Sequence, residues 1–216
     1  MTINYKKIEF FQNELLSWFK DNGRAFPWRK PKMTTYQVII SEILLQRTKA
    51  ETVAKFLPYF LKEYPNWKKI GTATENELEA LLKPLGLQSQ RSKRLFKLSQ
   101  AIKERKGRFP KKRSEIEKIP MMGQYITNAY ELFILNKKLP LLDVNMARLL
   151  ERFFGPRKLS DIRYDTYLQD LACRVVNTHN PKEINWAILD YSAIVCKSKT
   201  PLCDGCMLSS KCSSKK

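Results

Sequence analysis

An all-α fold is predicted by three features of this chain. Apolar residues return at three- and four-residue steps in segment after segment, beginning with Ile8, Phe11, Leu15, Trp18 and Phe19. Breakers such as Asn22-Gly23, Pro84-Leu85-Gly86-Leu87, Gly107 and Gly155-Pro156 punctuate those segments. No β-like alternation of useful length and no internal repeat is present.

The first helix is expected over residues 4 to 20. Phe26-Pro27-Trp28-Arg29 and Pro31 read as an extended link, because proline restricts the residue before it. Tyr36 to Gln46 is a strongly apolar helix interrupted by Ser41, Glu42 and Gln46. Thr48 and Glu51 fit a capping box for the next helix, about 49 to 63, in which Pro58 predicts a local bend. Tyr64 to Ile70 reads as a turn with Trp67 tucked inward. Thr74 caps a short helix ending near Lys83, with Glu77 completing its box. Residues 89 to 106 form a basic helix with Leu95, Leu98 and Ile102 inward and Arg91, Lys93, Arg94, Lys97 and Lys103 largely outside.

The segment from Ser114 to Arg148 carries the functional signal. A short run with Ile116 and Ile119 leads into Pro120-Met121-Met122-Gly123, and a helix follows from near Gln124 to about Leu135. Such a hairpin directs backbone N–H groups outward at a helix start, a natural phosphate seat. Leu141-Leu142-Asp143-Val144-Asn145 then opens a helix bearing Arg148, Arg152 and Phe153. A carboxylate there would lie near a backbone anchored at the hairpin. Two further helices, from Tyr167 to Val176 and from Pro181 through Ile194, precede a cysteine loop and a lysine-rich tail. Leu168, Leu171 and Ala172 predict Cys173 on a packed face, as a small buried hydrophobe.

Composition narrows the function classes. Lys+Arg outnumber Asp+Glu by 40 to 21, a net charge of +19 that favours phosphate polymers. At 216 residues and 43% hydrophobic content the chain can bury a core and is not wholly disordered. No apolar run approaches the length of a membrane span, and residues 1 to 20 lack the pattern of a secretory peptide. A cytoplasmic location with no membrane role is the resulting expectation, and the chain is expected to be a monomer, nucleoid-associated if its polymer is DNA.

Four of the five cysteines cluster as Cys196-x6-Cys203-x2-Cys206-x5-Cys212. In a cytosolic chain this pattern means a metal centre rather than disulfides. Four thiolates suit Zn²⁺ or an iron–sulfur cube. Zinc sites commonly use two close ligand pairs, whereas only Cys203 and Cys206 are close here, which favours the larger group. A structural role is expected, with Lys197, Lys199 and Lys211 turned toward a phosphate backbone.

With these motifs placed, the chain resembles the helix-hairpin-helix DNA glycosylases of the endonuclease III superfamily. It is most similar to the branch holding the thymine-DNA mismatch glycosylases of archaea and the catalytic domain of the adenine glycosylase MutY. Phe26-Pro27-Trp28-Arg29, Ser41 to Thr48, the hairpin, Leu142-Asp143-Val144-Asn145, and Asp190 to Cys212 carry the resemblance in order. It implies a six-helix barrel domain over residues 22–135 and a discontinuous domain over 1–21 and 136–216. DNA would bind in the cleft between them, and the four cysteines would hold a [4Fe–4S] cluster.

Residue by residue, the resemblance makes Asp143 the catalytic aspartate and Glu42 the glutamate of the base pocket. Asp143, at a helix start, is expected to stay ionised. Tyr125 stands where the bifunctional enzymes carry a Schiff-base lysine, which implies hydrolysis without strong lyase action. Gln46, Arg47 and Thr48 would form the wedge that holds open a duplex with a flipped mispaired base. Met121, Gly123 and Gln124 at the hairpin, and Arg148 beyond it, complete the expected DNA contacts. The family hairpin reads Leu-Pro-Gly-Val-Gly, so Met121 occupies a glycine position and the turn must tolerate its β-carbon. Thymine or uracil opposite guanine is the expected substrate. Gln46 keeps adenine opposite guanine or oxidised guanine as a second reading. A non-catalytic DNA-binding module and a tRNA-modifying iron–sulfur enzyme are the readings from other classes.

Overall fold

The computed structural model describes residues 4–215, and among them there are eleven α-helices and no strand. In chain order these are α1 (Tyr5–Asn22), α2 (Thr35–Leu45), α3 (Ala50–Glu63), α4 (Trp67–Thr72), α5 (Glu75–Leu82) and α6 (Gln88–Glu104). They continue with α7 (Arg113–Ile116), α8 (Gln124–Phe133), α9 (Val144–Phe154), α10 (Thr166–Val176) and α11 (Pro181–Ile194). No described helix is long and apolar enough to cross a membrane. The described residues fall into two compact units, one within Ala25–Leu135 and one drawn from Met1–Arg24 and Asn136–Lys216.

The Ala25–Leu135 unit is built on the apolar face of α2, whose Ile39, Ile40, Ile43 and Leu44 are fully buried. Helix α2 packs on α3 and α8, while α4 and α5 pack on α6. Thr34 caps α2 and Thr74 caps α5, each within a reciprocal box with the third helical residue. Leu95, Leu98 and Ile102 point inward from α6 as their spacing predicts.

Local expectations fail where tertiary contacts outweigh local ones. Helix α3 runs through Pro58, because burial of Val53, Phe56, Leu57 and Phe60 outweighs the roughly 3 kcal/mol cost of an interior proline. Its N-cap is Lys49 with no side-chain cap, and the Thr48 hydroxyl is taken by Arg91 instead. Residues Pro27–Arg29 form a 3₁₀ turn rather than an extended link, with Phe26 stacked on Trp28. Trp67 opens a short helix capped by Asn66 and meets Tyr36 edge-on at 4.8 Å. Arg91 is 5% exposed, not outward-facing.

In the other unit α1 and α9 each pack on α10 and α11. Phe11, Leu15, Leu150, Phe153, Ile188 and Tyr191 lie at its centre. Asp190 is fully buried on α11 and accepts from the Arg24 backbone and guanidinium at 2.8 Å, tying down the end of the N-terminal segment. Cys173 is exposed, because Leu171, Ala172, Val175 and Val176 take the buried face of α10 and leave position 173 off it.

Candidate functional site

The hairpin joins α7 to α8. Arg113 opens α7 and fastens it to α8, donating to Asn128 Oδ1 at 2.9 Å and to the buried Glu131 Oε2 at 2.6 Å. Its Nε reaches Glu117 at 2.8 Å. The turn closes through Ile119 N–H to Ile116 and Met122 N–H to Ile119, and the Thr127 hydroxyl binds the Met122 carbonyl. Gly123 caps α8 with no side chain, and nothing stands within 4 Å of where a Cβ would project. The space beside Gly123 is therefore open, and Gly123 stands at the start of α8, whose first N–H groups by helix geometry have no acceptor within the helix. Gln124 and Tyr125 are its first two residues.

Met121 sits at φ +70°, the left-handed region that glycine adopts freely. The turn therefore keeps the conformation of a glycine hairpin, and its side chain packs against the Ala25–Leu135 core. A non-glycine residue there costs about 1–2 kcal/mol. Met121→Gly is accordingly expected to unfold at a denaturant midpoint above that of Met121→Ala, a gap of about 1 kcal/mol. Both lose the packing, and only glycine relieves the backbone. An alanine variant as stable as the glycine variant would contradict the strain.

Glu42 lies on α2 and is 4% exposed between Ser41 and Ile43. Because α2 packs against α8, its helix runs beside the one that carries Tyr125. Tyr125 is partly buried against the same core. Beyond the end of α2, Gln46 is its C-cap, and Arg47 is exposed at φ +59°. Thr48 follows, held by Arg91.

In the other unit Asp143 is the N-cap of α9. Its Oδ1 accepts from the Asn145 and Met146 N–H groups at 2.9 and 2.8 Å, and its Oδ2 accepts from Asn145 Nδ2 at 2.7 Å. Burial pushes this carboxyl above its ordinary value, and the hydrogen bonds and the Arg148 charge pull downward without cancelling it. The position at a helix start alone implied the opposite direction. Asn145 Oδ1 is in turn held by Arg148 Nη1 at 3.0 Å. Arg148 also donates from Nε and Nη2 to the Cys196 and Ser192 carbonyls at 3.1 and 2.9 Å. A continuous set of bonds thus runs from the carboxylate to the start of the cysteine loop.

Cys196, Cys203, Cys206 and Cys212 all line one cavity of about 130 Å³, walled by Leu149, Phe153, Val195 and Leu202. Among the described residues no three of His, Cys, Asp and Glu converge closely enough for a single metal ion. Four thiols lining one largely apolar space are a soft donor set of the kind that fits a metal centre. Arg152 supports the loop through the Lys197 and Ser198 carbonyls at 2.7 and 2.8 Å and reaches Cys196 Sγ at 3.4 Å. Tyr191 OH contacts Cys206 Sγ at 3.1 Å.

Asn145, Arg113, Arg152 and Arg91 are supporting residues to which sequence reasoning gave no such role. Asn145 had a signal, standing two residues after Asp143 at a helix start. The arginines had none, since a long cationic side chain reads as surface unless its acceptors are known.

The model of the HhH-GPD superfamily of base excision DNA repair proteins matches residues 40–172. This chain belongs to that superfamily. It is 32% identical to a thymine-DNA glycosylase of Aeropyrum pernix over 211 residues, 95% of this chain and 94% of the relative. It is 31% identical to a thymine/uracil-DNA glycosylase of Methanothermobacter thermautotrophicus, covering 96% and 94%. A solved structure of a thermostable thymine-DNA glycosylase superposes with a TM-score of 0.89 at 30% identity, covering 97% of each chain.

Proposed function

We propose that this chain is a monofunctional DNA glycosylase that hydrolyses the N-glycosidic bond of thymine or uracil mispaired with guanine in duplex DNA. The observation that carries the reading is Asp143, a partly buried carboxylate fixed by three hydrogen bonds at the head of α9. Full-length similarity to thymine- and thymine/uracil-DNA glycosylases supports the substrate.

In the reaction the N1–C1′ bond breaks and its electron pair leaves with the base. Positive charge develops on the deoxyribose, and water adds to C1′ and loses a proton. Asp143, ionised, stabilises that charge and orients the water. Glu42 hydrogen-bonds the extruded base and eases its departure. Tyr125 offers no amine, so no iminium forms and the strand stays intact. Gln46 fills the vacated space, while Arg47 reads the orphan guanine through its fixed donors. The α8 start holds a phosphate of the anchored strand.

The four cysteines would hold a [4Fe–4S] cluster, which supplies a cross-link for residues 196–212 rather than a group in the reaction. Cys203→Ser is expected to lower iron content well below the roughly four per chain of the native protein and to lower the melting temperature. Iron and sulfide assays with a melting curve check this. Stoichiometric zinc in the native protein would contradict it.

The substrate reading is tested by single-turnover excision on duplexes carrying T·G, U·G, A·G and A opposite oxidised guanine. Rapid excision of T and U with little release of A is expected. Preferential release of A would transfer the chain to the adenine reading that Gln46 favours.

A further inference from the structure

Arg91 extends from the first turn of α6 and is almost completely buried, yet among the described residues no carboxylate pairs with it. Its guanidinium is satisfied by oxygens from two separate turns. Nη1 donates to the Leu85 and Gly86 carbonyls at 2.9 and 2.7 Å. Nη2 donates to the Gln46 carbonyl at 2.6 Å and to Thr48 Oγ1 at 2.5 Å, with the Leu44 carbonyl at 3.5 Å. The Leu44 and Gln46 carbonyls belong to the end of α2, where helix geometry leaves the last oxygens without internal donors.

Each turn also carries a non-glycine residue in the left-handed region directly after a clamped carbonyl. Arg47, at φ +59°, follows Gln46, and Leu87, at φ +51°, follows Gly86. Such conformations persist only where the surroundings over-determine them. A planar guanidinium with two donor edges can do this, and a lysine ammonium cannot reach both turns with the same geometry.

We propose that Arg91 is a positioning residue for base extrusion: it locks the 46–48 tip against the 85–87 turn and so presents Gln46 and Arg47 in the conformation that enters the duplex. The inference rests on reading that tip as the wedge. Arg91 touches neither base nor sugar. It acts by keeping the tip rigid, so its effect is confined to substrates whose base must be forced out.

The test compares single-turnover excision of thymine opposite guanine with excision of thymine opposite an abasic analogue, where no pairing resists extrusion. Arg91→Lys is expected to lose about 100-fold on the paired substrate and under about threefold on the other. The Gln46→Ala/Arg47→Ala double variant is expected to show the same selectivity. Equal loss on both substrates by Arg91→Lys, beside a selective tip variant, overturns the positioning role and leaves the wedge standing. An unselective tip variant overturns the wedge and this inference with it. Should Arg91→Lys not fold, as melting curves would reveal, Arg91→Gln buries no charge, cannot bridge both turns, and undergoes the same comparison with the same readings.

Discussion

Asp143→Asn is expected to reduce thymine excision by about 10²–10³-fold or more while leaving duplex binding and the fold intact. Asparagine caps helices as well as aspartate does, so the Asn145 and Met146 N–H groups keep an acceptor. What would be lost is the negative charge that the proposed reaction sets opposite the developing cation. The wild-type carboxyl is raised by burial, so it holds its proton more tightly folded than unfolded. Its contribution to stability is therefore present at low pH and lost as pH rises, and at neutral pH the neutral asparagine should melt no lower than wild type. If Asp143 must be ionised for the reaction, the same shift predicts an acid limb of the wild-type rate profile above the ordinary aspartate value of about 3.9. Excision by Asp143→Asn at near the native rate would remove this carboxylate from the chemistry.

Glu42→Gln is the second large effect, an expected loss of about 100-fold in single-turnover excision. The side chain is buried on α2, where glutamine fills the same volume, so unfolding should change little. The loss should appear in the chemical step rather than in duplex affinity, because in the proposed reaction Glu42 would meet the base only after extrusion. Unchanged excision of both T and U would return Glu42 to a packing role.

The helices were legible because their signals are local. The Thr74–Glu77 box and the inward stripe of Leu95, Leu98 and Ile102 appear in the structure as their spacing predicts. The glycine-like turn at Met121 could be anticipated only as a question of tolerance, since its φ is set by the closure of the hairpin. Arg91 and Thr48 were misread for one shared reason. Their partners are carbonyls and a hydroxyl brought together from positions about forty residues apart, and no periodicity records that. The sign of the Asp143 shift was likewise hidden: capping is readable in sequence, but desolvation depends on what packs around the cap.

The central claim is hydrolysis of the glycosidic bond without strand cleavage, and mass spectrometry of the thymine-bearing strand tests it most directly. After one turnover on a T·G duplex, the strand should be uncut, lighter by a thymine and heavier by one water. A strand cleaved before any alkali is added, or one whose thymine is still attached, would contradict the account.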